Sequence, residues 1–188
     1  NTPPIKPRSY DIISPWGSGK AQRPRVKPDQ APVHEVRIER DINLYDILPL
    51  YRINDFDGGY YIGKANVVSR DPNDPDNFGK QNVGIYRIQP HGPDEFTLMS
   101  VPIHDMGRHM QAAEETGKPL KIAVMLGNHP AMAMFAATPI RYDESEYSYA
   151  SAMMGPPHEL TETGTGPANP APGQNSITAD NTPAPPPP

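Results

Sequence analysis

Leu120-Lys121-Ile122-Ala123-Val124-Met125-Leu126 decides the architecture, because every residue of this short run except Lys121 is apolar. A run of this length and character suits a strand covered on both faces. Such a strand needs sheet neighbours, and the surrounding sequence offers them. Strand-like runs recur at 83–88 and 96–101, and another at 60–69 follows the turn Asp55-Phe56-Asp57-Gly58-Gly59. Val36 and Ile38 alternate with Glu35, Arg37 and Glu39, which predicts a first half-buried strand near Val33. Short strands separated by polar turns such as 71–79 predict a small barrel or curled sheet.

Three helices are expected around it. Met106, Met110 and Ala113 recur at helical spacing over 105–115, and Gly117 and Pro119 stop that helix. A second starts at Pro130, a favoured first-turn residue, and carries Met132, Met134 and Phe135. A third runs from near Asp143 through Tyr147, Tyr149, Ala150 and Met153 to Gly155. The methionines here read as core filler.

Both ends are proline-rich. Of 26 prolines, seven fall in 1–32 and ten in 156–188, which sets off a proline-rich arm over 1–31, a folded unit over 32–166 and a tail over 167–188. The tail's only large apolar side chain is Ile177, too little burial to offset ordering entropy, so disorder is expected there. The formal charge of −5 gives no reason to expect nucleic acid as a partner. Without cysteine there is no disulfide framework and no cysteine-ligated zinc or iron–sulfur centre, and a cytoplasmic location is compatible. No apolar run approaches the roughly 18 residues of a membrane span. The chain starts at Asn1, so it reads as processed, trimmed or incomplete.

Four blocks carry a more specific message. Asn82-Val83-Gly84-Ile85-Tyr86-Arg87 follows Val68-Ser69-Arg70-Asp71-Pro72; then come His104-Asp105-Met106-Gly107, Gly127-Asn128-His129-Pro130-Ala131, and Thr138-Pro139-Ile140 leading to Ser145-Glu146-Tyr147. In this order they resemble the UbiD-like decarboxylases, enzymes that remove carbon dioxide from aromatic and unsaturated acids with a prenylated flavin. With the approach Pro32-Val33-His34-Glu35-Val36, the similarity covers 32–166. It implies an α+β fold, a small split β-barrel of flavin-reductase type with flanking helices.

The resemblance also implies a site. Residues matching Asn82, His104 and Glu146 hold a divalent ion, usually Mn2+ and otherwise Mg2+, that touches the phosphate of prenylated FMN. An amide oxygen, an imidazole and a carboxylate suit such an ion. An ion between protein and phosphate also lets an acidic chain bind the cofactor without a basic patch. Arg87 looks like the catalytic arginine, whose fork of donors fits a substrate carboxylate. Cofactor contacts are implied for Asn82, Val83, Ile85, Arg87, His104 and Glu146, and for the loop Ala136-Ala137-Thr138-Pro139, whose backbone in relatives also meets K+. Each residue has a plainer reading: Glu146 lies three places after Asp143, as in a helix capping box; Asn82 could be a turn residue, His104 a helix-cap neighbour, and Arg87 a salt-bridging arginine sharing a strand face with Ile85. His104 and His109, five apart, fall on different helix faces and make a weak rival metal site.

The implied activity is non-oxidative decarboxylation of an aromatic carboxylic acid, phenolic acids among them, with the flavin as electron sink. Family members are more than twice this length, and their arginine works with two downstream glutamates. After Gly166 this chain has no glutamate and only Asp180 as an acid. The alternative is a truncated or non-catalytic cofactor-binding piece completed by another chain, in a homo-oligomer or with a partner.

Overall fold

The computed structural model describes residues 27–154, 160 and 175–181. In chain order the elements are α1 (Leu44–Ile47), β1 (Asn66–Arg70), β2 (Gln81–Ile85), β3 (Arg87–Pro90), β4 (Phe96–Met99), α2 (Asp105–Thr116), β5 (Leu120–Leu126), α3 (Pro130–Ala136), α4 (Glu146–Met154) and β6 (Asn175–Asn181). Short 3-10 turns stand at Pro28–Gln30, Pro32–His34 and Phe78–Lys80.

The expectation for the 120–126 run is met. β5 sits inside an antiparallel sheet of order β2-β1-β5-β6, and its residues are buried except at Lys121 and, partly, Leu126. Alternate residues of β1 and β5 supply two cores. Val67, Ile122 and Val124 pack with Met106 and Ala113 of α2, together with Tyr86 and Ile88. Val68, Ala123 and Met125 pack with Val83, with Met132 of α3 and with Tyr147 and Ala150 of α4. The sheet therefore lies between α2 on one face and α3 with α4 on the other, as the period of two along a strand requires.

Helix α2 follows its sequence signals. Gly117 closes it in the left-handed region (φ 64°), donating its N–H to the carbonyls of Ala113 and Glu114. Helix α3 starts on Pro130, as expected. Helix α4 starts at Glu146, three residues later than the expected Asp143.

Four expectations are corrected. The strand near Val33 is absent: Pro32–His34 is a 3-10 turn, and Val36 is 77% exposed with Ile38 at 51%. Alternation there has no sheet to bury against. The run 83–88 is two strands, because β2 ends at Ile85 and β3 begins at Arg87 in a separate two-stranded sheet with β4. Ile85 and Arg87 thus belong to different sheets. Within 60–69, strand structure begins at Asn66, while Ile62 makes a lone bridge to Ile88. Disorder of the tail is overturned at Asn175–Asn181, where β6 pairs residue by residue with all of β5, Leu120 opposite Asn181 through Leu126 opposite Asn175. Main-chain pairing with an otherwise open sheet edge needs few apolar side chains, so composition hid it. The rest of the tail and most of the arm lie outside the described residues.

Among the described residues the strands form two open sheets rather than a closed barrel. No described helix is long and apolar enough to cross a membrane.

Candidate cofactor and metal site

Among the described residues strand β2 is a sheet edge, with Val83 opposite Val68 of β1 on one side and no strand on the other. Its outward N–H groups need acceptors. Glu146, the first residue of α4, supplies one: Val83 N–H donates to Glu146 Oε2 at 2.8 Å. This is the N–H of the peptide that joins Asn82 to Val83. The capping-box reading of Glu146 fails, because its carboxylate is directed at β2 and the Asp143 carboxylate faces Arg141 instead (3.6 Å).

Glu146 is 5% exposed. Burial pushes its carboxyl up to about 8 against the bonds from its own N–H and from Val83, and the like charge of Asp105 adds to the rise. A carboxylate removed from water without a cation is costly, and a bound cation would restore its charged form.

Asn82 lies on the α2 face of β2. Its Nδ2 donates to Ser69 Oγ (3.4 Å) and to the Tyr86 hydroxyl (3.3 Å), which leaves Oδ1 as the amide atom available to a ligand. Tyr86 folds back along the strand, and Gly84 makes this possible: a Cβ on Gly84 would stand 2.5 Å from the ring's Cε2 and 2.7 Å from its hydroxyl oxygen. The spacing Asn82, Gly84, Tyr86 is thus one strand face with its middle side chain deleted to seat an aromatic ring. Burial raises the Tyr86 hydroxyl's pKa, against bonds from Asn82 and the Met106 N–H.

His104 is the N-cap residue of α2 and makes no side-chain cap bond there. Its ring lies 6.0 Å from the Tyr86 ring, centroid to centroid. Tyr86 therefore links His104 to Asn82, and Asn82 is joined through the next peptide to Glu146. Among the described residues no three His, Asp or Glu side chains gather into a metal-holding group; Asn82, His104 and Glu146 are an amide, an imidazole and a carboxylate. The rival pair of histidines is separated, with His109 buried against Ser69 (Oγ to Nδ1, 2.9 Å).

Arg87 stands apart from these three. It is exposed, its guanidinium carbon 5.7 Å from the centre of the Tyr61 ring. Tyr61 and Ile85 line a cavity of about 670 Å³ walled also by Leu50, Leu126 and Met134. The loop Ala136-Ala137-Thr138-Pro139 closes α3, with Ala137 N–H and Thr138 Oγ1 both donating to Met134 O (3.2 and 2.8 Å), and α3 packs against β2. The sequence assigned no role of their own to Tyr86 and Ser69, and gave His109 only a place in the rival histidine pair. The i+4 spacing of Tyr86 from Asn82 across a glycine, and the place of His109 on the Met106–Ala113 stripe, were the available signals.

Comparison with known proteins defines the class first. The fold matches that of vanillic acid decarboxylase from Sedimentibacter hydroxybenzoicus in its closed form, with a TM-score of 0.80 and 38% identity over 91% of this chain and 36% of that one. It also matches an evolved dimeric form of the UbiD-class enzyme HmfF from Pelotomaculum thermopropionicum in complex with prFMN, with a TM-score of 0.77 and 31% identity over 90% of this chain and 39% of that one. Phenolic acid decarboxylase of Bacillus subtilis (strain 168) is 51% identical over 160 residues, 85% of this chain and 33% of that protein. The family model for the 3-octaprenyl-4-hydroxybenzoate carboxy-lyase Rift-related domain matches residues 24–177, and the chain belongs to this UbiD family. It spans about a third of the length of the curated relatives it matches.

Proposed function

We propose that this chain is the cofactor-binding domain of a non-oxidative decarboxylase of aromatic, including phenolic, carboxylic acids, and that it holds prenylated FMN through Mn2+ or Mg2+ on Asn82, His104 and Glu146. The carrying observation is Glu146: a buried carboxylate beside the like charge of Asp105, tied to the peptide that follows Asn82. The donor set fits a divalent ion, since amide oxygen, imidazole and carboxylate are the hard and borderline ligands that Mn2+ and Mg2+ accept. The names of the relatives support the substrate class, and the prFMN complex of HmfF supports the flavin.

When bound, prenylated flavin supplies the electron sink for the carbon that loses carbon dioxide. The residues of this chain do the rest. Arg87 receives the substrate carboxylate, which its position beside the Tyr61-lined cavity allows. The small side chains of Ala136 and Ala137 let the backbone approach the flavin, with K+ as a further ligand of that loop. Val83 holds Glu146 in place rather than offering its N–H to the cofactor. On this reading the unit comprises 32–166 together with β6, and the two sheets that meet at Tyr86 are the described part of a split β-barrel.

The second reading is that of a fragment or cofactor-holding subunit, completed by another chain or in a homo-oligomer in the cytoplasm. The one-third coverage of relatives is consistent with it. The two readings share one test. The purified chain should take up prenylated FMN only with Mn2+, and Glu146→Ala should lose flavin while its urea midpoint moves little. Carbon dioxide release from aromatic acids should run about 10²–10⁴-fold below that of a complete relative, the usual contribution of a general acid. Flavin uptake indifferent to Mn2+ and to alanine at all three positions would overturn the site.

A further inference from the structure

Behind Asn82 lies a buried polar chain that the proposed chemistry does not use. Ser69 Oγ, on β1 directly opposite Asn82 in the sheet register, receives Asn82 Nδ2 at 3.4 Å and stands 2.9 Å from His109 Nδ1 on α2. Asn82, Ser69 and His109 are all buried, and Ser69 and His109 are 0% exposed. Among the described residues His109 Nε2 has no hydrogen-bond partner, and the Tyr142 ring meets the imidazole edge-on at 5.8 Å. A fully buried histidine with one orphaned nitrogen is destabilising, since an unpaired polar atom has lost its water without gaining a partner. That cost asks for a compensating use of the other nitrogen.

A metal ligand made of an amide must present oxygen, yet an amide is nearly symmetric in shape and can turn its NH2 to the ion instead. Tyr86 and Ser69, which meet Asn82, are both hydroxyls, and a hydroxyl donates or accepts as its surroundings dictate. Left alone they would not fix the amide. A neutral His109 that accepts at Nδ1 takes the single Ser69 proton, so Ser69 Oγ is left only to accept. Nδ2 is then the amide atom that must face inward, and Oδ1 the one that faces out.

We infer that Ser69 and His109 are positioning residues that orient the Asn82 amide, with its oxygen presented to the divalent ion. The inference rests on the metal reading above and concerns residues to which that reading gives no role. Partners one step behind a ligand typically change metal affinity about 10–100-fold when removed.

The test measures Mn2+ affinity of the full 188-residue chain by the loss of free-ion EPR signal, with flavin mononucleotide present, beside a urea midpoint for every variant. Ser69→Ala and His109→Leu should each weaken Mn2+ by about 10-fold or more. His109→Asn, whose side-chain oxygen can stand where Nδ1 stood, should bind Mn2+ as the parent does. In an Asn82→Asp background both faces of the side chain present oxygen, so Ser69→Ala should then have no effect on affinity. A purely structural Ser69 would act alike in both backgrounds. If Asn82→Ala loses Mn2+ while Ser69→Ala and His109→Leu bind as the parent does, the positioning role is wrong and the metal site stands. Should parent and Asn82→Ala be indistinguishable, the metal reading itself fails and takes this inference with it. If His109→Leu does not fold, Ser69→Ala in the two backgrounds decides alone.

Discussion

Acidification should destabilise this protein through His109. Burial lowers the His109 pKa from 6.5 to about 4; the nearby Asp71 opposes the shift, while Lys80 and Arg108 add to it. Tyr142, which meets the ring edge-on, also donates its hydroxyl to Asp71 (2.9 Å), so that carboxylate is already engaged with Tyr142 and with Lys80 (3.4 Å). The folded pKa lies below the unfolded one. The unfolded chain therefore takes up a proton first as pH falls, and stability present above the ordinary histidine range is lost on the way down toward 4. At about pH 5 the unfolded chain is almost fully protonated at this site and the folded one about a tenth, which amounts to about 2 kcal/mol, rising to about 3.4 kcal/mol below both values. His109→Asn removes the titration and keeps a hydrogen-bonding group beside Ser69. Urea unfolding of parent and variant at about pH 7.5 and about pH 5 should show the parent losing about 2 kcal/mol more than the variant. Equal losses would refute the placement of a neutral, buried His109 behind Ser69.

Glu146 carries the opposite sign. Its folded pKa of about 8 lies above its ordinary 4.5, so the metal-free chain should lose stability as pH rises through that window, while Glu146→Gln should not. Urea midpoints across the window, with and without Mn2+, check this; a parent and variant of equal slope would contradict it. Gly84→Ala drives a methyl into the Tyr86 ring, whose nearest atom would be 2.5 Å away. The cost should be about 1–3 kcal/mol, read as a fall in thermal midpoint, because the ring is held between Asn82 and His104 and has nowhere to retreat. An unchanged midpoint would show that Tyr86 lies elsewhere.

Much of the fold could be read from periodicity, and the failures share a cause. β5, α2 and the start of α3 are written in local signals: an apolar run, a three-to-four stripe ended by Gly117, a proline at the first turn. The strand expected at Val36 and Ile38 shows that alternation alone does not make a strand, since pairing partners are non-local and none is present there among the described residues. β6 errs in the other direction. Its polar sequence is ordered by main-chain bonds to β5, which composition does not record. The break at Tyr86 went unseen for a related reason: the ring's fold-back over Gly84 is a packing event, and it turns one expected strand into two. Of the candidate site, the sequence resemblance nominated Asn82, His104 and Glu146 together; in the structure the Tyr86 ring meets both Asn82 and His104, and Glu146 accepts from the Val83 N–H. Ser69 and His109, the side chains inferred to orient Asn82, are forty residues apart and meet only because α2 covers β1.

The most direct test of the account is a crystal structure of this chain grown with Mn2+ and flavin mononucleotide, with the ion located by its anomalous scattering. The account predicts one strong Mn2+ peak with Asn82 Oδ1, a His104 ring nitrogen and a Glu146 carboxylate oxygen at about 2.0–2.6 Å, the flavin phosphate completing the shell. A peak bound elsewhere, or an Asn82 amide whose nitrogen faces the ion, would contradict it.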